Sequence, residues 1–308
     1  MVSRGSRNGR GTVFPIVEAY GFPYDSDSPL AARTWNEKTC PFAGRPCEKQ
    51  RQYGFGYCSV TYAAQWDNGN QHTYAVCDHR LDGPPIQWAI ADYFEGREAI
   101  LVPEVTATTS PKRNIDYVAF RDDPSALNGA SLIAIEAQTI DLRGGGVGPA
   151  WKAWEEGNTA NWREYFTAEA ERKGRRDTVD YGVNTGNVYK RLGTQVAEKS
   201  VYLKEIEVPL YVVMQYSILR QLRSRINFSV TQEEDPWDIT FAGFEYDGSL
   251  DSDGILQLNL VEVVRTTVPE YLHAMTTSRE SRGLRRDFIE RVKTKAKLNV
   301  NPAQSGLF

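Results

Sequence analysis

The sequence predicts a mixed α/β fold, in which helices flank a central sheet of parallel and antiparallel strands. Short apolar segments typical of strands recur along the chain, at 100–105, 114–120, 131–138, 208–215, 239–246 and 255–264. Helical patterns around 151–173 and 187–206 separate the third of these segments from the fourth. Three successive strands followed by helices and another strand indicate a mixed sheet with helices packed on it.

Three regions of different character divide the chain. Residues 1–30 contain Pro15, Pro23 and Pro29 and suggest a loosely ordered N-terminal arm. Residues 31–99 are rich in turns and aromatic residues and hold all four cysteines, whereas 100–308 carry the α/β pattern and end in a basic helical segment at 279–297.

The composition is that of an ordinary globular protein of 308 residues, 41% hydrophobic and 25% charged. No apolar run approaches the roughly 18–20 residues of a membrane-spanning helix, and the basic N-terminus lacks the apolar segment of a secretory signal. We therefore expect a cytoplasmic protein. Its charge is segregated: ten acids and one base lie within 233–270, but eight bases and three acids within 279–297. This distribution suits a polyanionic partner, and solvated surface charges would explain it equally well.

The four cysteines are Cys40, Cys47, Cys58 and Cys77, with six, ten and eighteen residues between them. Four thiolates suit a tetrahedral zinc or iron site, which would stabilise a segment with too few apolar residues to fold alone. Two disulfides are an alternative, although they are rare in the cytoplasm. Unrelated buried thiols are another, because free cysteine behaves as a small hydrophobe.

Two carboxylates interrupt neighbouring apolar strands. Glu136 and Gln138 share one face of "SLIAIEAQ", because strand side chains alternate, and Asp116 lies within "NIDYVAF". Converging carboxylates repel each other unless a cation lies between them, and oxygen ligands select Mg²⁺. A water on that ion becomes a nucleophile for a phosphodiester, with Gln138 orienting it and Glu104 as a candidate further ligand or base. Equally, Glu136 would be an ordinary strand residue if it were paired with an arginine.

These motifs together resemble the NotI family of type II restriction endonucleases. The matching segments follow in order as "AARTWNEKTCPF" (31–42), "GYCSV" (56–60), "VCDHRLD" (76–82), "NIDYVAF" (114–120), "AIEAQTIDLRG" (134–144) and "NVYKR" (187–191). A four-cysteine segment directly upstream of a nuclease core makes the combination specific. The C-terminal third matches far less well, so the recognised DNA sequence is not transferred.

The resemblance implies a PD-(D/E)xK nuclease core with glutamine in place of the usual lysine. It makes Asp116 and Glu136 the two metal-binding acids, places Gln138 at the lysine position, and matches Glu104 to the upstream acid. The family's cysteines bind a structural iron, so the resemblance assigns iron, with zinc as the alternative, to Cys40, Cys47, Cys58 and Cys77.

The resemblance further implies a homodimer that cuts a palindromic, G·C-rich site in double-stranded DNA with Mg²⁺, alongside a DNA methyltransferase that protects the host. Lys190 and Arg191, which begin the helix after the acidic strand, are candidates for phosphate contacts. They are equally well explained as solvated helix charges. Two other functions stay open: a DNA-binding protein without activity, because Gln138 lacks the usual charge, and a repair nuclease without sequence specificity.

Overall fold

A computed structural model of the chain describes residues 13–63, 70–110, 112–144, 146–175, 179–184, 186, 188–232, 235–277 and 285–299. In chain order its strands are β1 (Ile16–Ala19), β2 (Phe22–Pro23), β3 (Thr39–Cys40), β4 (Arg45–Pro46), β5 (Tyr57–Ala63), β6 (Gln71–Ala75), β7 (Ile100–Thr109), β8 (Lys112–Asp122), β9 (Ala130–Gln138), β10 (Leu142–Gly144), β11 (Tyr181–Val183), β12 (Leu210–Gln215), β13 (Ile239–Leu250) and β14 (Leu256–Thr266). Its helices are α1 (Pro29–Glu37), α2 (Glu48–Tyr53), α3 (Pro84–Phe94), α4 (Gly148–Glu155), α5 (Trp162–Arg172), α6 (Gly193–Glu205), α7 (Tyr216–Arg225), α8 (Val268–Thr276) and α9 (Arg285–Asn299).

The predicted mixed sheet is confirmed, with six strands in the order β14-β13-β12-β9-β8-β7. The three central strands β9, β12 and β13 run parallel, whereas the outer pairings are antiparallel. Parallel neighbours need long crossovers. The segment containing α4, α5 and α6 connects β9 to β12, and α7 connects β12 to β13.

Helices cover both faces of this sheet. On β9, Ala134 packs into a core formed with α4 to α8, whereas Ile133 and Ile135 pack on the other side. That second face is covered by α3 through Ile86 and Phe94. Because strand side chains alternate, Glu136 is on the same face as Ala134, which is the face toward α6.

A smaller sheet, in the order β2-β1-β5-β6, adjoins the central one. Its strands β1 and β2 lie in the segment expected to be an arm, and they are ordered there because Ile16 and Phe22 are buried. Residues 1–12 of that expected arm lie outside the described residues. The small sheet meets the end of β9 and β12 through Ala75, whose carbonyl accepts from the Ile140 N–H and whose N–H donates to Gln215.

The structure differs in detail from the predicted helices at 151–173 and 187–206. The pattern at 151–173 forms α4 and α5 rather than one helix, and Gly157 between them has a φ of 67°, a left-handed conformation that favours glycine and ends a helix. The pattern at 187–206 forms a π-helical turn at Val188–Leu192 followed by α6. The basic C-terminal segment predicted at 279–297 is helical over α9, and its residues 279–284 lie outside the described residues. Over the described ranges, no helix has both the length and the apolar character needed to cross a bilayer.

A buried ion pair joins the small sheet to the central one. Arg80 donates from Nε to Glu18 Oε2 on β1 over 3.1 Å and from Nη2 to the Leu256 carbonyl on β14 over 2.6 Å. The Tyr246 hydroxyl on β13 also donates to Glu18 Oε2, at 3.1 Å. Burial raises the pKa of Glu18, and Arg80 opposes that rise. The pair therefore ties three strands of two sheets together.

We expect Arg80→Met to lower the free energy of unfolding by about 3–5 kcal/mol, because it leaves the Glu18 carboxylate buried without its cation. Urea denaturation followed by circular dichroism measures this loss. Arg97→Met is the control, since Arg97 pairs with Glu95 on the surface and its removal should cost less than about 1 kcal/mol. Equal small losses in both variants would contradict a linking role for Arg80.

Candidate active site

The carboxylates of Asp116 and Glu136 lie side by side on β8 and β9. Tyr117 pairs with Ile135 in the β8–β9 ladder, and the next step along the ladder sets Asp116 opposite Glu136. The Asp116 N–H donates to Glu136 Oε1 over 3.4 Å, and the Ala137 N–H donates to Asp116 Oδ2 over 3.0 Å. The structure thus brings together the two acids that the sequence suggested as a pair.

The surroundings of both carboxylates disfavour their negatively charged form. Burial, and then the neighbouring Asp116, raise the pKa of Glu136 to about 7, although Lys199 opposes the rise. Burial also raises the pKa of Asp116, against the lowering effects of the Ala137 N–H and Lys199. Two acids in this state favour a cation between them, since it removes their mutual repulsion.

Lys199 on α6 provides a positive charge at this position. Its Nζ lies 2.5 Å from Glu136 Oε2, and its side chain is only 13% exposed. Sequence reasoning missed this residue, and its alternative of an arginine partner for Glu136 names the wrong residue type. A signal was present, because Lys199 is on the same helical face as the buried Val196 and Leu203.

Gln138 and Glu104 flank the carboxylate pair. The Gln138 amide Nε2 donates to the Thr139 carbonyl over 2.6 Å. Glu104 is exposed, and the pairings of Pro103 with Tyr117 and of Val105 with Ile115 set it opposite Asp116. Its φ of 53° is unusual for a residue other than glycine, so the β7 backbone is strained beside the acids.

One cavity of about 800 Å³ connects these groups. Its wall includes both carboxylates, the side chains that flank them and several cations, namely Asp116, Glu136, Gln138, Glu104, Lys199, Arg191, Lys49 and Arg45. All four cysteines line it as well. The cysteine segment is therefore one wall of the same cavity that holds the acidic pair.

A second acidic group from the segment "VCDHRLD" also borders the cavity. Asp78 Oδ1 accepts a hydrogen bond from the Thr139 hydroxyl, and its charge contributes to the raised pKa of Asp116. His79 Nδ1 lies 2.5 Å from Asp82 Oδ2, whose carboxylate also accepts from the Tyr117 hydroxyl at 2.7 Å. Sequence reasoning used this segment only for the resemblance. The cavity is thus acidic on two sides.

The residues proposed for DNA contacts differ in position. Arg191 lines the cavity, and its Nη1 lies 3.6 Å from Asp141 Oδ2. Lys190, in the same π-helical turn, is exposed. Arg191 therefore lies at the cavity, whereas Lys190 faces solvent.

The cysteines form a close pair with two neighbours. The Cys58 thiol donates to the Gly56 carbonyl over 3.8 Å, and its interaction with the Cys77 thiol raises the pKa of Cys58 and lowers that of Cys77. Cys40 and Cys47 lie close enough to Cys77 to interact with it electrostatically. A thiolate among neighbouring thiols is the chemistry of a metal ligand.

The two predicted metal sites, at the Asp116–Glu136 pair and at the four cysteines, differ in how well their geometry suits a metal ion. Within the described parts of the chain, no three or more His, Cys, Asp or Glu side chains are grouped so that they could hold an ion. A Mg²⁺ site needs only one or two carboxylates plus waters and substrate oxygens, so Asp116 and Glu136 fit it. A closed four-thiolate site needs all four ligands together, and the cysteines do not have that arrangement here. Iron or zinc at the cysteines stays a prediction, and the hydrolysis proposed for Asp116 and Glu136 does not require it.

A scan of the chain against protein-family models gives no match, and a search of curated proteins gives none either. The resemblance to the NotI family stays a prediction.

We expect the raised pKa of Glu136 to make stability depend on pH. Between about pH 4.5 and pH 7 the folded protein keeps a proton that the unfolded chain releases, so the free energy of unfolding falls as pH rises. The fall from this group is about 3 kcal/mol. Glu136→Gln should lack it, whereas the exposed Glu198→Gln should keep the wild-type profile. Urea denaturation at several pH values measures the difference, and identical profiles for wild type and Glu136→Gln would contradict it.

The resemblance to the NotI family, and not the arrangement of the cysteines, leads us to expect iron or zinc in purified protein at roughly one ion per chain. The double substitution Cys58→Ser and Cys77→Ser should remove it, because it takes away two of the four thiols that would bind the ion. Elemental analysis by mass spectrometry measures the content. Asp116→Asn keeps every cysteine and should retain the ion; wild-type protein without either metal would end the prediction.

Proposed function

We propose that the protein is a Mg²⁺-dependent endonuclease that hydrolyses phosphodiester bonds in double-stranded DNA. The observation that carries the proposal is the Asp116–Glu136 pair, set on adjacent strands at the wall of a cavity of about 800 Å³. Glu136 also lies near the carboxyl end of β9, and open α/β sheets bind their ligands at the carboxyl ends of their strands.

The chain's own residues divide the chemistry between them. Asp116 and Glu136 would hold Mg²⁺, which when bound polarises the scissile phosphate and acidifies a coordinated water. The Gln138 amide would orient the attacking water, whose oxygen bonds to phosphorus as the ester P–O bond breaks. The proton of that water would pass to solvent, and the departing ester oxygen would take up a proton from solvent and leave as an alcohol. Arg191 is placed to contact a phosphate of the DNA backbone. Because the Glu136 side chain is only 11% exposed, its attraction to the metal ion would be stronger than at the surface.

We further propose that cleavage is specific for a DNA sequence. A palindromic, G·C-rich site, a homodimer and a partner DNA methyltransferase rest on the resemblance alone. Helix α9 supports a DNA partner of any sequence, because basic side chains bind backbone phosphates. Its exposed residues include Arg286, Arg291, Lys293 and Lys295.

A DNA-binding protein without activity is the second candidate. The Glu136–Lys199 contact favours it, because a carboxylate already neutralised by an ammonium has less need of a metal ion. The two candidates differ in one outcome, which is whether DNA is cut or only bound.

Incubation of plasmid DNA with protein and Mg²⁺ tests the proposal. We expect discrete fragments, and we expect Asp116→Asn and Glu136→Gln each to slow cleavage by at least about 100-fold, because each removes a ligand that stabilises the transition state. Glu198→Gln on the exposed side of α6 is the control, and circular dichroism checks that each variant folds. Sequencing of fragment ends gives the cleavage position.

Other results would favour other functions. A smear would indicate a repair nuclease without sequence specificity, and retarded but intact DNA would indicate the inactive binder. Wild-type rates in both acid variants would remove Asp116 and Glu136 from the mechanism.

A further inference from the structure

Lys199 is a cation in a setting where cations are rare. Its side chain is 13% exposed, and it lies on α6 between the buried residues Val196 and Leu203. Lysine is almost never buried without a partner, because its ammonium loses hydration there. The partner here is Glu136, one of the two proposed metal ligands.

The other cations of the cavity have different partners. Arg191 is 68% exposed and lies 3.6 Å from Asp141, and Arg45 is paired with Glu48 on the surface. The Lys49 ammonium donates to the Val76 carbonyl. Among the ion pairs of the described residues, the one that involves the Asp116–Glu136 pair is therefore made by Lys199.

Strand β9 has no cation of its own at this position. Gln138, two residues after Glu136, is neutral, and its amide donates to the Thr139 carbonyl. Helix α6 packs on the same face of β9 as Ala134, which brings Lys199 against Glu136 from above the sheet. The positive charge thus arrives from the helix and not from the strand.

Charge balance shows what this ammonium can do. When both acids are ionised, as metal binding requires, two carboxylates and one ammonium leave a single net negative charge, which a divalent cation would turn into a single positive charge. One phosphodiester would then make the assembly neutral. Without Lys199 the same assembly would stay negative, and a buried uncompensated charge is costly.

From this geometry we infer that Lys199 has two successive partners: it neutralises Glu136 in the metal-free protein, and it passes to the scissile phosphate when a divalent cation takes its place on Glu136. The inference rests on the proposed nuclease function. A lysine suits this exchange because its ammonium is a compact charge on a flexible stem with three rotatable donors.

Two measurements on Lys199→Met test the inference. Cleavage of plasmid DNA should slow by at least about 100-fold, since a charge on the phosphate is lost. Binding of Mn²⁺ without DNA, measured by electron paramagnetic resonance, should tighten by about twofold or more, because the competitor for Glu136 is gone. Structural damage would weaken Mn²⁺ binding, so the direction of the change separates the two explanations.

The control is Lys204→Met on the same helix, which removes an outward ion pair with Asp238 and should change neither measurement. Lys199→Arg keeps the charge and should recover part of the cleavage rate. Cleavage by Lys199→Met at the wild-type rate, or weaker Mn²⁺ binding alongside lost cleavage, would overturn the inference while leaving the nuclease proposal intact. Wild-type protein that neither binds Mn²⁺ nor cuts DNA would overturn both.

A measurement on the unaltered protein covers the case in which Lys199→Met does not fold. Acetylation of Lys199 by acetic anhydride, followed by mass spectrometry, should be slow in metal-free protein and faster after addition of Mg²⁺ without DNA. Lys204 is the internal reference, because its ion pair lies away from the carboxylates. A Lys199 rate that Mg²⁺ leaves unchanged would overturn the inference.

Discussion

The proposed activity depends on the strand register that sets Asp116 opposite Glu136. The β8–β9 ladder fixes this pairing, and the parallel pairing of Glu136 with Val212 on β12 holds β9 from its other side. A slip of one residue in either ladder would turn every side chain of β9 to the opposite face. The apolar residues Ile133 and Ile135 oppose such a slip, because they are buried in the core beneath α3. Packing on one face of the sheet thus preserves the carboxylates on the other.

Surrounding elements constrain the acidic pair from several directions. Helix α6 presents Lys199 to Glu136, and the segment after β6 places Asp78 near Asp116. The left-handed backbone at Glu104 adds local strain where β7 passes Asp116. Buried like charges and backbone strain are both costly, and they recur where a protein has to hold reactive groups in place.

The sequence was informative where the signal is local. Alternation placed Glu136 and Gln138 on one face, and short apolar runs located the six strands of the central sheet. The contact with Lys199 was not predictable in the same way, because it joins residues 63 positions apart through the packing of α6. The same limit applies to β1 and β2, whose prolines suggested an arm, and to α3, which lies in the cysteine segment but packs on the central sheet. The glycine at position 157 could have predicted the end of α4. The helical periodicity continues on both sides of it, however, and therefore indicated a single helix.

The parallel pairing of β9 with β12 also has a consequence for how the protein matures. Two strands that lie next to each other in the sheet are separated along the chain by the whole segment that contains α4, α5 and α6. Closing so long a loop slows folding, because the chain loses conformational entropy before the contacts between the two strands can stabilise it. We therefore expect a nascent chain to carry both acids for some time before the lysine and the central strand dock beside them. The proposed cleavage activity would then arise late, in chains whose sheet is already complete.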